Sequence, residues 1–114
     1  MNNSGHIISI SSDKMGSGSD ELGEILMKGF INTIVKTDPL PQKIIFYNAG
    51  ALLVTKDSPV LETLKELENS GIEILVCGTC ADYFNVKDKV AVGSISNMPT
   101  ILESLTSAPK VVTP

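Results

Sequence analysis

Apolar residues in this chain come in short bursts, and the spacing within the bursts switches repeatedly between a strand-like and a helix-like period. Residues 6–12 (HIISISS) are rich in isoleucine and read as a first strand, and residues 13–19 (DKMGSGS) as a loop. From Asp20 to about Lys36 the period becomes helical, with Leu22, Ile25, Leu26, Gly29, Phe30, Thr33 and Ile34 on one stripe and Met27, Ile31 and Val35 outside it. Ser19 is placed to cap that helix, and Asp20 and Glu21 complement its dipole. Pro39 and Pro41 end it, and residues 43–47 (KIIFY) form a second strand. Asp57 or Ser58 can cap the next helix, with Pro59 in its first turn and Val60, Leu61, Leu64 and Leu67 facing inward. Ile72, Ile74, Leu75 and Val76 read as a buried third strand; Gly78 and Thr79 break it, and residues 81–84 begin a short helix. Residues 89–92 read as a fourth strand, 99–107 as a helix carrying Ile101, Leu102 and Leu105, and 110–113 as a short last strand. Alternation of this kind predicts an α/β fold of three layers, α/β/α, around a mainly parallel five-stranded sheet with right-handed crossovers.

Residues 1–114 are expected to form one domain, with 1–5 disordered, because 42% apolar residues suffice for a core without a metal or a disulfide. A net charge of −4 and the absence of arginine argue against nucleic acid as a partner. The start of the chain is polar and its first apolar run is too short for a signal peptide, while no run approaches the roughly 20 residues that cross a bilayer. A cytoplasmic location is expected, where cysteines stay reduced unless they are working.

The chemistry concentrates at Cys77 and Cys80, the only cysteines of the chain, in the run IEILVCGTC. Ligands of open parallel sheets sit at the carboxyl ends of strands, where a helix amino terminus favours anions such as a thiolate. That makes Cys77 the expected reactive thiol, with Cys80 in support and Gly78 and Thr79 as donors to its sulfur. The bland alternative is two structural cysteines in a packed core, and a thiol-disulfide redox pair is a further possibility. Zinc is disfavoured, since the single histidine is His6 and no third cysteine exists. Gly16 and Gly18 precede a helix without completing a phosphate-loop motif, so their loop can bind an anion or merely turn. Asn48 and Asn97 follow strands and are expected on the same rim as Cys77, Asn97 with the simpler role of capping a helix that has Pro99 near its start.

The segments GSGSDELGEILMKGFI, LPQKIIFYNAGALL, LENSGIEILVCGTCADYF and VGSISNMPTI together resemble the carboxy-terminal domain of the YedF group of selenium-metabolism proteins, within the DsrE/DsrF-like superfamily of sulfur-relay proteins. The resemblance spans about Ile7 to Pro114, and CGTC with the downstream ISNM is its most specific part. It implies a small parallel α/β domain that assembles into homo-oligomers. It also implies a strand-end cysteine, Cys77, that carries persulfide sulfur or selenium between donor and acceptor proteins, TusA-like carriers among them, with no cofactor. Against this sulfurtransferase-like reading stands a non-catalytic assembly or small-ligand module, in which the glycine loop and the Asn48 rim hold the partner.

Overall fold

A computed structural model describes residues 5–114; the disorder expected over residues 1–5 falls, for residues 1–4, outside the described residues. In chain order the elements are β1 (Ile7–Ile10), α1 (Asp20–Ile34), β2 (Lys43–Phe46), a 3-10 run over Asn48–Val54, α2 (Leu61–Asn69), β3 (Glu73–Cys77), α3 (Gly78–Tyr83), a 3-10 turn at Lys87–Lys89, β4 (Ser94–Ser96), α4 (Met98–Ser107) and β5 (Val111–Val112). The five strands form one sheet in the order β4-β3-β2-β1-β5, and every pairing is parallel. This is the α/β architecture expected from the alternation.

Side chains alternate across the sheet, and each face has its own cover. Ile8, Ile10, Ile44, Phe46, Ile74 and Val76 point to one side, where Met27, Ile31 and Ile34 of α1, Leu64 and Leu67 of α2, and Leu53 and Val54 of the 3-10 run close over them. Ile7, Ile45, Leu75 and Cys77 point to the other, covered by Ile101 and the half-buried Leu105 of α4. The three central strands, β1, β2 and β3, are buried on both faces, which is why they read as nearly continuous apolar runs.

Helix α1 is capped as expected, with Ser19 Oγ accepting from Leu22 N–H at 3.1 Å. Its inward stripe is a correction. The helix buries Gly23, Met27, Ile31 and Ile34, whereas Leu22, Ile25 and Leu26 stand 52%, 61% and 45% exposed. The difference amounts to a turn of about one residue, or roughly 100°, and Gly23 accounts for it. A Cβ at Gly23 would lie 2.9 Å from Cβ of Lys14, and its carbonyl accepts from Met15 N–H at 3.0 Å. The loop therefore packs directly on this glycine, and that contact selects which face turns inward.

The fourth strand is a second correction. Residues 89–92 do not join the sheet; Val90 makes an isolated antiparallel bridge to Thr55, Val92 is buried as a plug, and the edge strand is Ser94–Ser96, paired as Leu75↔Ser94 to Cys77↔Ser96. Gly93 makes the switch. It has φ +81 and lies so close to β3 that a Cβ would meet the Ile74 carbonyl oxygen at 2.8 Å, while its N–H donates to Glu68 Oε2 at 2.9 Å. At α2, neither candidate cap occupies the N-cap position, which is Val60; Ser58 Oγ instead accepts from Val60 N–H just ahead of the helix, at 3.2 Å.

Candidate functional site

Because all strands run parallel, their carboxyl ends share one rim. Cys77 ends β3 with its side chain on the α4 side of the sheet, among Ile7, Ile45, Leu75 and Ile101, and it is only 2% exposed. The chain passes from β3 into α3 with no intervening break, so Gly78 and Thr79 are the first residues of the helix rather than a separator. A glycine suits position 78, since a Cβ there would stand 3.1 Å from both Ile95 Cγ2 and the Ser96 carbonyl oxygen.

One helical turn returns Cys80 toward Cys77, and Cys80 packs against the buried cluster that holds Cys77. A second group reaches Cys80 from a different element. The backbone N–H of Asn48 donates to Cys80 Sγ at 3.0 Å. Asn48 opens the 3-10 run with φ 50, a left-handed conformation that asparagine adopts more readily than most residues. The close approach of the next turn to β1 holds this geometry: a Cβ on Gly50 would collide with the Ile10 carbonyl oxygen, and Tyr47 N–H donates to that same oxygen at 3.0 Å.

Cys80 is half-buried, and burial is the largest influence on its thiol, pushing its pKa up. The Asn48 N–H opposes this by favouring the thiolate, and the neighbouring Cys77 raises it further, so the net direction is upward.

Above Cys80 lies an open cleft of about 380 Å³ lined by Asn48, Thr79, Cys80, Tyr83 and Phe84. Tyr83 is 83% exposed, and its ring meets that of Phe84 edge-on at 5.4 Å. The structure thus brings together three expected site residues, Asn48, Thr79 and Cys80. Cys77 sits beneath them and Gly78 backs onto β4. Gly16 and Gly18 adopt φ +80 and +138 in the loop before α1 with nothing packed on them, and neither lines the cleft. Asn97 caps α4, its Oδ1 accepting from Thr100 N–H at 2.9 Å. Tyr83 and Phe84 escaped the sequence reading, although they stand three and four residues after Cys80, the spacing that puts side chains on one helical face.

The profile of the DsrE/DsrF-like family matches residues 19–114, from the cap of α1 through both cysteines to the end of the chain. The chain belongs to the DsrE/DsrF-like family. Its fold is shared by the crystal structure of the ychN protein from E. coli, with TM-score 0.70, 14% identity and 99% of each chain covered. It is shared too by MTH1491 of Methanobacterium thermoautotrophicum, a protein of unknown function, with TM-score 0.69 and 18% identity over 96% of this chain and 97% of that one. BT1422 of Bacteroides thetaiotaomicron, a conserved protein of unknown function, gives TM-score 0.65 and 17% identity over 96% and 95%. Among curated proteins none matches. No helix among the described residues is long and apolar enough to cross a membrane.

Proposed function

We propose that this domain is a sulfur carrier of the relay type, which receives a sulfane sulfur, or its selenium counterpart, as a persulfide on the Cys77–Cys80 pair. One observation supports the reading above the rest: the only two thiols of the chain lie one helical turn apart at a strand end, packed in one cluster, and the outer one accepts a backbone N–H while facing an open cleft. A donor protein's persulfide must be approached by an attacking sulfur, and Cys80 is the one a partner can reach. In the sequence Cys77 holds the strand-end position of the family's carrier cysteine. Its burial favours giving that first contact to Cys80 and leaving Cys77 as the partner thiol. Tyr83 and Phe84 give the cleft beside Cys80 an aromatic wall.

The likeness to the YedF group favours TusA-like proteins as donor or acceptor and selenium as an alternative cargo. Exchange between thiols requires them to be reduced at rest, which fits the cytoplasm. Mass spectrometry of protein purified without reductant tests the proposal. The expected result, in wild type or in Cys77→Ser protein, is a peptide carrying Cys80 heavier by one sulfur or one selenium atom and restored by a thiol reductant. Protein that stays unmodified after incubation with inorganic polysulfide would sink it.

A further inference from the structure

Two thiols one helical turn apart and packed in one cluster are more than a carrier needs, because one suffices to hold a persulfide. We propose that Cys77 discharges the cargo by attacking Cys80 Sγ, so that it leaves as hydrosulfide, or hydroselenide, and the two cysteines close into a disulfide. This rests on the carrier reading and adds the form in which the cargo departs. In loading, the Cys80 thiolate bonds to the outer sulfur of a donor persulfide, the S–S bond of the donor breaks, and the donor leaves as its thiolate. In discharge, Cys77 gives up its proton and its sulfur bonds to Cys80 Sγ. The bond from Cys80 Sγ to the cargo sulfur breaks, and that electron pair departs with the cargo, which takes up the proton from Cys77 or water. The two cysteines are oxidised by two electrons in all, and the sulfane sulfur is reduced by the same two to sulfide. A dithiol reductant then reopens the disulfide.

Geometry selects which sulfur is attacked. Cys80 packs against the buried cluster that holds Cys77, so its Sγ is the sulfur nearer Cys77, whereas a cargo sulfur bound to it extends toward the cleft. Attack on the outer sulfur would instead draw the cargo down among Ile7, Ile45, Leu75 and Ile101, where Cys77 is only 2% exposed. The leaving anion enters an open space, where water can solvate it. The Asn48 N–H at 3.0 Å from Cys80 Sγ polarises the atom under attack. Side chains three residues apart on a helical turn have Cβ atoms about 5–6 Å apart, against about 4 Å in a disulfide. Closure therefore needs only a modest shift at the start of a six-residue helix. The step also gives the protein a place in a sequence of reactions: a persulfide-forming reaction supplies it, a dithiol reductant resets it, and the reaction downstream consumes a reduced chalcogenide anion rather than a persulfide.

The experiment loads wild-type protein, Cys77→Ala and Cys77→Ser with inorganic polysulfide without oxygen, removes excess, and tracks hydrosulfide release beside intact mass. Wild type is expected to release one hydrosulfide for each disulfide formed, while both variants load equally and hold their persulfide about tenfold longer or more. Should both variants load and wild type keep its persulfide just as long with no disulfide, the discharge step is overturned and the carrier survives. If no form loads at all, both readings fall. Using two substitutions separates the missing thiol from any packing defect at position 77, because alanine and serine perturb the apolar surroundings differently.

Discussion

Cys80 feels two opposed influences: burial holds it as a neutral thiol, and the Asn48 N–H favours its anion. Burial prevails, so alkylation of Cys80 should titrate above the ordinary thiol range. The neighbouring Cys77 raises the Cys80 pKa, so the midpoint should move down in Cys77→Ala; an unchanged or higher midpoint would contradict that influence. A raised folded-state pKa contributes stability that is fully present below the unfolded-state value, about 8.5, and is lost as pH rises through the folded value. Chemical denaturation across alkaline pH should accordingly fall less steeply for Cys80→Ala than for wild type. Between the two thiols, Cys80 should react faster with iodoacetamide, measured in the single Cys77→Ser and Cys80→Ser proteins. The sequence pointed the other way, toward Cys77, because the end of a strand is legible in an apolar run and the burial of that end is not. Whether Cys77 lies under α4 or under α1 depends on which helices cover which face, and the residues flanking the motif do not encode that.

At the level of elements, the strands that hold the site were legible because they are buried on both sides, while the edge was not. Ser94–Ser96 is polar and short, as edge strands tend to be, so the valines at 90 and 92 outcompeted it in any reading of apolarity. Helix α1 was legible in extent and cap but turned by one residue, since its two candidate stripes are similarly apolar and a packing contact at Gly23 decides between them. Leu75 tests the central strand: it is buried between Ile45, Cys77 and Ile101, and Leu75→Ala should cost about 2–5 kcal/mol in urea denaturation. A loss below roughly 1 kcal/mol would mean that the α4 side of the sheet is not packed as described. Gly50 tests the support of Asn48. Since a Cβ there meets the Ile10 carbonyl oxygen, Gly50→Ala should destabilise by more than about 1 kcal/mol and, by displacing the Asn48 N–H, raise the Cys80 midpoint further.

Over the whole molecule, the parallel α/β class followed from the alternation of elements, but the strand order and the outer surfaces did not, and the surfaces carry the last prediction. With α1 turned, Leu22, Ile25 and Leu26 form a stripe on its solvent side, spaced three and four residues apart so that their side chains adjoin. Gly29 continues the stripe by one turn with open space above it, a position where another helix can approach closely. Isolated exposed leucines need no explanation, whereas a continuous apolar face on a helix does. On the opposite layer Met98 and Leu102, four residues apart on α4, are exposed as well, so apolar surface flanks the sheet on both sides. A second copy of the same chain can bury such faces, and most soluble oligomers are built from identical chains. Light scattering at micromolar concentration is therefore expected to give a mass above that of the 12.1 kDa chain. Ile25→Lys should lower that mass while leaving the circular dichroism spectrum and the urea midpoint nearly unchanged, because the residue is 61% exposed in the isolated chain. A wild-type monomer would remove self-association altogether. An oligomer indifferent to Ile25→Lys, but broken by Leu102→Lys, would move the contact from α1 to α4, on the layer of the sheet where Cys77 is buried.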